Sequence, residues 1–255
     1  MRAARLSPGA RQEARVQFRL ECHEVLESTS STLKQRAEAG EAEGLAILAL
    51  RQSAGRGRQG RGWESPAGNL YLSVLLRPAV ALREAPQWSF VAAVALAETL
   101  KPLLPEAAQP SLKWPNDLLL NGAKAAGILV ETGVAASNAL DWLCIGIGVN
   151  IASKPSLPDR ATACLVEYLP APPEPETLAA ALLQSLAHWH ETRLAQGFTP
   201  IRDAWLHHGP AMGAAVSVKR DGALIEGAFA GLSPEGGLKL AKDSEVQLIL
   251  AGEII

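Results

Sequence analysis

Apolar and polar positions alternate loosely over residues 16–26, as in a half-buried strand, and the polar run Ser28-Thr29-Ser30-Ser31 then introduces a short helical pattern closed by Gly40. LAILAL at 45–50 and NLYLSVLL at 69–76 predict strands on either side of the loop GRGRQGRGW at 55–63. Residues 87–104 repeat apolar side chains at helical spacing around Trp88, Phe90, Val91, Val94 and Leu100, with Pro86 before them and Pro102 near the end. SLKWPNDLLL, AAGILVETGV and DWLCIGIGVNI read as three more strands, the first two joined by a tight turn at Asn121-Gly122. Proline-rich residues 153–175 predict a long surface connection, followed by helices over 176–197 and 199–208. From Met212 onward short strands follow at close spacing, a texture that predicts a small β-barrel. The chain divides accordingly into a disordered leader (1–15), an α+β domain with a central mixed β-sheet (16–209) and a C-terminal barrel (210–255).

Composition narrows what such a molecule does. At 255 residues, 48% hydrophobic and 20% charged, the chain can bury a sizeable core. Its 24 Lys and Arg against 26 Asp and Glu exclude an overall basic field for bulk nucleic acid or membrane, so any basic site is local. Cys22, Cys144 and Cys164 form neither a disulfide framework nor a C-x-x-C metal site, which suits a reducing compartment. With no signal-peptide h-region and no membrane-length apolar run, the expected location is the cytoplasm.

The loop 55–63 carries the first candidate chemistry. Gly55, Gly57 and Gly60 satisfy G-x-G-x-x-G, but a dinucleotide fingerprint needs a helix after its last glycine, and Pro66 and Gly68 forbid one. A kinase glycine-rich loop also fails, because its lysine-bearing strand and distant signatures are missing. Two readings remain: a flexible loop whose Arg56, Arg58 and Arg61 close on a phosphate or carboxylate, or a solvated segment of the kind that touches RNA without specificity.

Three further groups stand out. Lys113, between apolar neighbours in KWPND, either faces an anion-receiving pocket or snorkels at the surface. Ser28, Thr29 and Ser30 cap the next helix, which leaves hydroxyls free to meet a ligand as well. The glycines of Gly146-Ile147-Gly148-Val149-Asn150 allow close approach by a ligand or by a neighbouring element. His188 with His190, and His207 with His208, lack metal-ligand spacing, and no cysteine has an activating partner nearby.

ESTSSTLK, Gln52 with GRGRQGRGW, SPAGNLYLS, KWPNDLLL, AGILVE at 126–131 and IGIGVNI at 145–151 together resemble the biotin–protein ligase family, strongly over residues 22–152. SPEGGLKL and AGEI extend the likeness weakly to the C-terminus. The resemblance implies a catalytic domain of the biotin/lipoate ligase type with an SH3-like barrel. It also implies activation of biotin by Mg·ATP to biotinyl-5′-adenylate, then transfer to a lysine of a biotin carboxyl carrier protein of acetyl-CoA carboxylase.

Carried over by motif, Ser28, Thr29, Ser30 and Gln52 hold the ureido head, and Gly55, Arg56, Gly57 and Arg58 fold over the acyl chain. Lys113 and Arg58 act at the reacting centre. Arg61, Trp63, Asn116 and Asn150 meet ATP, Asp117 shapes the nucleotide or metal region, and Mg2+ comes with ATP rather than from a fixed protein site. Family members often have Asn where Ser30 stands and Arg where Gln59 stands. The family's DNA-binding repressor module is not expected in this chain, and a homodimer is compatible with it. Two rivals are carried: a lipoate or octanoate ligase of the same fold, and a non-enzymatic RNA-binding protein using the arginine loop.

Overall fold

The structure, a computed structural model, describes residues 16–135, 137, 139–158, 160–220, 222–243 and 245–254. The expected leader over residues 1–15 lies outside them. The strands β1 (Arg19–Leu26), β2 (Leu45–Gln52), β3 (Leu70–Leu76), β4 (Pro110–Lys113), β5 (Asp117–Leu120), β6 (Ala123–Val134) and β7 (Leu140–Val149) build one mixed sheet in the order β1-β2-β3-β7-β6-β5-β4. Only β1 and β2 run parallel, joined by helix α1 (Thr29–Glu38).

The two-residue period of the strands sorts their side chains into two layers. Leu45 and Ile47 of β2, Leu75 of β3, and Trp142 and Cys144 of β7 meet Leu33 and Ala37 of α1. The alternate positions, among them Ala46, Leu48, Leu72, Val74 and Ile145, face the larger core beneath α2 (Gln87–Leu100) and α3 (Pro175–Gln196). Helix α2 is apolar almost all round because α3 and α4 (Thr199–His208) cover what the sheet leaves. It stops at Leu100, before the expected residue 104. Pro102 lacks the N–H that the next turn needs and disfavours a helical backbone before it.

Three local expectations change. SLKWPNDLLL is two strands, β4 and β5, folded into a hairpin that pairs Lys113 with Asp117 around a cis Trp114–Pro115 bond. The turn at Asn121-Gly122 does join β5 to β6, with both residues at positive φ. The connection over 153–175 is not wholly a surface segment: Ala163, Cys164 and Leu165 are buried, tied by Ala163 N–H to Lys124 O and Leu165 N–H to Asn150 O.

The expected C-terminal barrel is instead an antiparallel five-stranded sheet, consistent with an SH3-like fold but not closed. Its strands β8 (Ala215–Arg220), β9 (Ala223–Leu232), β10 (Leu238–Lys242), β11 (Glu245–Ile249) and β12 (Glu253–Ile254) run in the order β11-β10-β9-β8-β12. Phe229, Leu238, Leu240 and Ile249 from this sheet share the main core with Trp205 of α4. Trp114 Nε1–H donates to Gly236 O at 3.1 Å, fixing the β4–β5 hairpin against the same sheet.

Candidate functional site

Helix α1 covers only one end of its face of the sheet. Further along that face, Tyr71 and Ser73 of β3, Gly146 and Gly148 of β7, and Gly127 and Leu129 of β6 share one side by register. Above most of them lies a cavity of about 350 Å3, a size suited to a small-molecule ligand. Residues of the loop from Arg56 to Trp63, together with Pro155, Leu157, Arg160 and Thr162, form its other walls.

The cavity has a hydroxyl-rich end. Ser28 is the N-cap of α1, its Oγ accepting from Ser31 N–H at 3.4 Å. Thr29 donates to Gln52 Oε1 from its backbone N–H at 2.8 Å and from Oγ1 at 3.1 Å. Ser73 Oγ lies 2.8 Å from Thr29 Oγ1 and 3.1 Å from Ser30 Oγ. Gln52 Nε2–H donates to Ser65 Oγ at 2.9 Å, and Ser65 donates on to Trp63 O. One chain of hydrogen bonds thus links the head of α1 to the loop.

The glycines of β7 explain the middle. A Cβ on Gly146 would lie 2.7 Å from Ser30 Oγ, and one on Gly148 would lie 2.7 Å from the Trp63 indole. Neighbouring side chains, not a chain reversal, require glycine there. The indole of Trp63 rests against Gly148 and Gly127, so the aromatic ring sits on a glycine floor, and its buried Nε1–H has no protein partner.

The far end is cationic. Arg58 donates to Asn116 Oδ1 at 3.0 Å, and burial lowers its pKa below the usual guanidinium value against the pull of Glu253 and Asp117. Lys124 reaches the cavity because β6 carries a bulge: Leu118 faces Ala126 but Leu119 faces Lys124. The extra residue, Ala125, turns Lys124 onto the side of Gly127. Its Nζ lies 2.6 Å from Asp117 Oδ1 and 5.5 Å from the centre of the Trp63 ring. Asp117 is buried, and this ammonium compensates its charge. From Gly146 beside the hydroxyls to Asn150 beside Lys124 is four residues of strand, about 13 Å.

The other expected residues take varied places. Arg56 lines the cavity but is engaged by Glu131 at 3.0 Å. Gly57 and Arg61 also line it, whereas Gly55 lies behind, where a Cβ would strike Trp63 O and Ser65 Oγ. Asn116 and Asn150 line it too, with Asn150 Nδ2–H donating to Ala163 O at 3.0 Å and so pinning the 153–175 segment. Lys113 stands apart from this cavity in an adjoining basin, where burial lowers its pKa.

Sequence reasoning missed Lys124, Ser73, Arg160 and Glu253. Ser73 was readable as a polar interruption of an apolar strand. Lys124 was not, because simple alternation back from Gly127 puts residue 124 on the opposite face. Among the described residues no group of three or more His, Cys, Asp or Glu gathers to hold a metal ion.

A binding face at one end of a glycine floor, an aromatic lid and clustered cations define a site for joining an elongated molecule to an anion. Comparison with known proteins agrees. The chain belongs to the Biotin/lipoate A/B protein ligase family, whose pattern matches residues 22–150. It is 37% identical over 219 residues to the biotin–[acetyl-CoA-carboxylase] ligase of Paracoccus denitrificans, covering 82% of this chain and 88% of that one. It is 32% identical to the bifunctional ligase/repressor BirA of Bacillus subtilis (strain 168), over 97% of this chain and 79% of that one. The biotin protein ligase of Aquifex aeolicus in complex with biotin and ATP superposes with a TM-score of 0.77 at 26% identity, covering 92% of this chain and 97% of that chain.

Proposed function

We propose that this chain is an ATP-dependent biotin–[acetyl-CoA-carboxylase] ligase. A biotin carboxylate oxygen attacks the α-phosphorus of ATP, the bond to pyrophosphate breaks, and biotinyl-5′-adenylate forms. The ε-amine of a carrier-protein lysine then attacks the acyl carbon, and AMP leaves. The observation that carries this reading is the ordering of the cavity, with hydroxyl and amide groups at one end and Lys124 with Arg58 at the other, about four strand residues away.

Thr29, Gln52 and the nearby Ser28 and Ser30 take the ureido head, supplying acceptors and donors that a dithiolane ring does not use. This favours biotin over lipoate. Lys124 Nζ and the Arg58 guanidinium lie where the carboxylate and the α-phosphate must meet, and fixed positive charge offsets their repulsion as the phosphorus centre becomes crowded. Asp117 is a positioning residue that holds the Lys124 ammonium. Trp63, seated on the glycine floor, walls the cavity beside the acyl chain and keeps water from the anhydride, while Arg56 and Gly57 fold over the same segment and Arg61 and Asn150 meet the nucleotide.

Mg2+ would come with ATP and screen its phosphates, and Asp117, already paired with the Lys124 ammonium, is not assigned to it. Lys113 belongs to the phosphate side of this arrangement rather than to the reacting centre. The protein partner is a biotin carboxyl carrier domain. No helix among the described residues is long and apolar enough to cross a membrane, and action in the cytoplasm is part of the proposal.

The test is biotin-dependent exchange of labelled pyrophosphate into ATP, then labelling of an apo-carrier domain with either biotin or lipoate. Exchange and transfer with biotin are expected. Labelling with lipoate alone would replace this reading with its nearest rival, while tight salt-sensitive RNA binding without exchange would point to the other.

A further inference from the structure

Behind Lys124 a second basin opens between the β4–β5 hairpin, the 153–175 segment and the C-terminal sheet. Five cations line it, Arg61, Lys113, Lys124, Arg160 and Lys219, with a single acidic residue among the lining, Glu253. Such an excess of positive charge in a chain of net charge −2 is a local demand for an anion.

Glu253 meets that demand from within. Its Oε1 accepts from Arg160 Nη1 at 2.5 Å and its Oε2 from Arg61 Nη2 at 2.9 Å, so one carboxylate ties the arginine loop, the long connection and the last strand together. Burial alone pushes the Glu253 carboxyl up, and the two arginines more than offset it, leaving its pKa below the ordinary value. The pairing is built to change. Arg61 is 46% exposed on the loop, and among the described residues β12 is held by two register pairs, Glu253 with Lys219 and Ile254 with Val218.

We propose that Glu253 is the exchangeable counter-anion of this basin, giving up Arg61 and Arg160 when the pyrophosphate part of the nucleotide enters and recapturing them when pyrophosphate leaves. The proposal rests on the adenylate-forming reading above. Guanidinium forks bind carboxylate and phosphate through the same donors, so the two anions compete for them. A multiply charged phosphate held by the same guanidinium groups also repels the carboxylate. Recapture latches the loop through Arg61 just after the anhydride has formed, keeping the intermediate enclosed until the carrier lysine arrives.

The experiment is calorimetric titration of the full chain with inorganic pyrophosphate, without biotin or ATP, comparing wild type with Glu253→Gln. Removing the competing charge is expected to tighten pyrophosphate binding about tenfold. In the same variant, biotinyl-adenylate formed in place is expected to escape faster than from wild type. Unchanged or weaker pyrophosphate binding would make Glu253 a scaffold and overturn the proposal. Should Glu253→Gln fail to fold, limited proteolysis of the wild-type chain decides: pyrophosphate must release Arg61 from Glu253 and make loop 55–63 easier to cut, and a loop equally protected with and without pyrophosphate overturns the proposal. Pyrophosphate binding needs no biotin, so a chain that shows the exchange of anions but no biotin-dependent chemistry would sink the ligase reading separately.

Discussion

Thr29 spends both of its donors on Gln52 and keeps its hydroxyl against Ser73, so it holds the hydroxyl-rich end of the cavity in one arrangement. Thr29→Val keeps the shape and removes the hydroxyl, leaving a buried polar neighbour short of a partner. The expected result is a KM for biotin raised roughly tenfold or more with the KM for ATP unchanged, read by steady-state kinetics. At the other end, Lys124→Ala removes a charge from the reacting centre and leaves Asp117 uncompensated. Pyrophosphate exchange should fall about a hundredfold or more, whereas Lys113→Ala, in the neighbouring basin, should cost only about tenfold. Equal losses in the two variants would put Lys113 back at the reacting centre. The contrast shows what residue types alone convey. Both lysines are visible as cations near a turn, but which one meets the substrate depends on a bulge at Ala125, and nothing in the alternation of apolar and polar letters marks that bulge.

The strand β7 shows the same limit from the other side. Its IGIG pattern told us that something approaches closely, and the structure identifies Ser30 over Gly146 and Trp63 over Gly148. Gly148→Ala should therefore act on the lid, since a methyl group 2.7 Å from the indole displaces Trp63 from its floor. Adenylate formation is expected to drop roughly tenfold, with thermal stability changed by only a few degrees, because the bulky neighbour is a loop side chain that can move outward. A large loss of stability with the lid still seated, judged by protection of the loop from proteolysis, would contradict this. Elements with strong periodicity, such as β2, β3 and α3, were legible in the letters because burial on both faces or on one stripe leaves a direct imprint. The β4–β5 hairpin was not, since KWPND turns the chain inside a run that otherwise reads as one strand. The C-terminal sheet has the strands of an SH3-like domain but is not closed, which the letters do not show, because short strands and turns report strand number and not whether the edges meet.

Across the whole molecule, one buried histidine joins the two long helices, α2 and α3. His190 on α3 accepts at Nδ1 from the Trp88 indole of α2 at 3.0 Å, so its proton sits on Nε2, which faces Glu43 Oε1 at 3.8 Å. Burial, reinforced by the nearby Arg193 guanidinium, lowers its pKa to about 4. The folded state therefore favours neutral imidazole, while the unfolded chain takes up a proton near pH 6.5. Stability from this group is complete above pH 6.5 and is lost as pH falls toward 4, amounting to roughly 3 kcal/mol over the whole window. By pH 5 about 2 kcal/mol should be gone, a drop in Tm of several degrees for a chain of this size. His208, half-buried with a pKa lowered first by burial, adds a smaller loss of the same sign, so the slope does not come from His190 alone. His190→Gln keeps an acceptor for Trp88 and abolishes the titration. Thermal unfolding followed from pH 7 to pH 5 should thus show a clearly shallower decline in the variant, although its Tm at pH 7 is lower. If the two declines are parallel, His190 is already protonated within the fold, and the neutral junction between α2 and α3 derived from its burial is wrong.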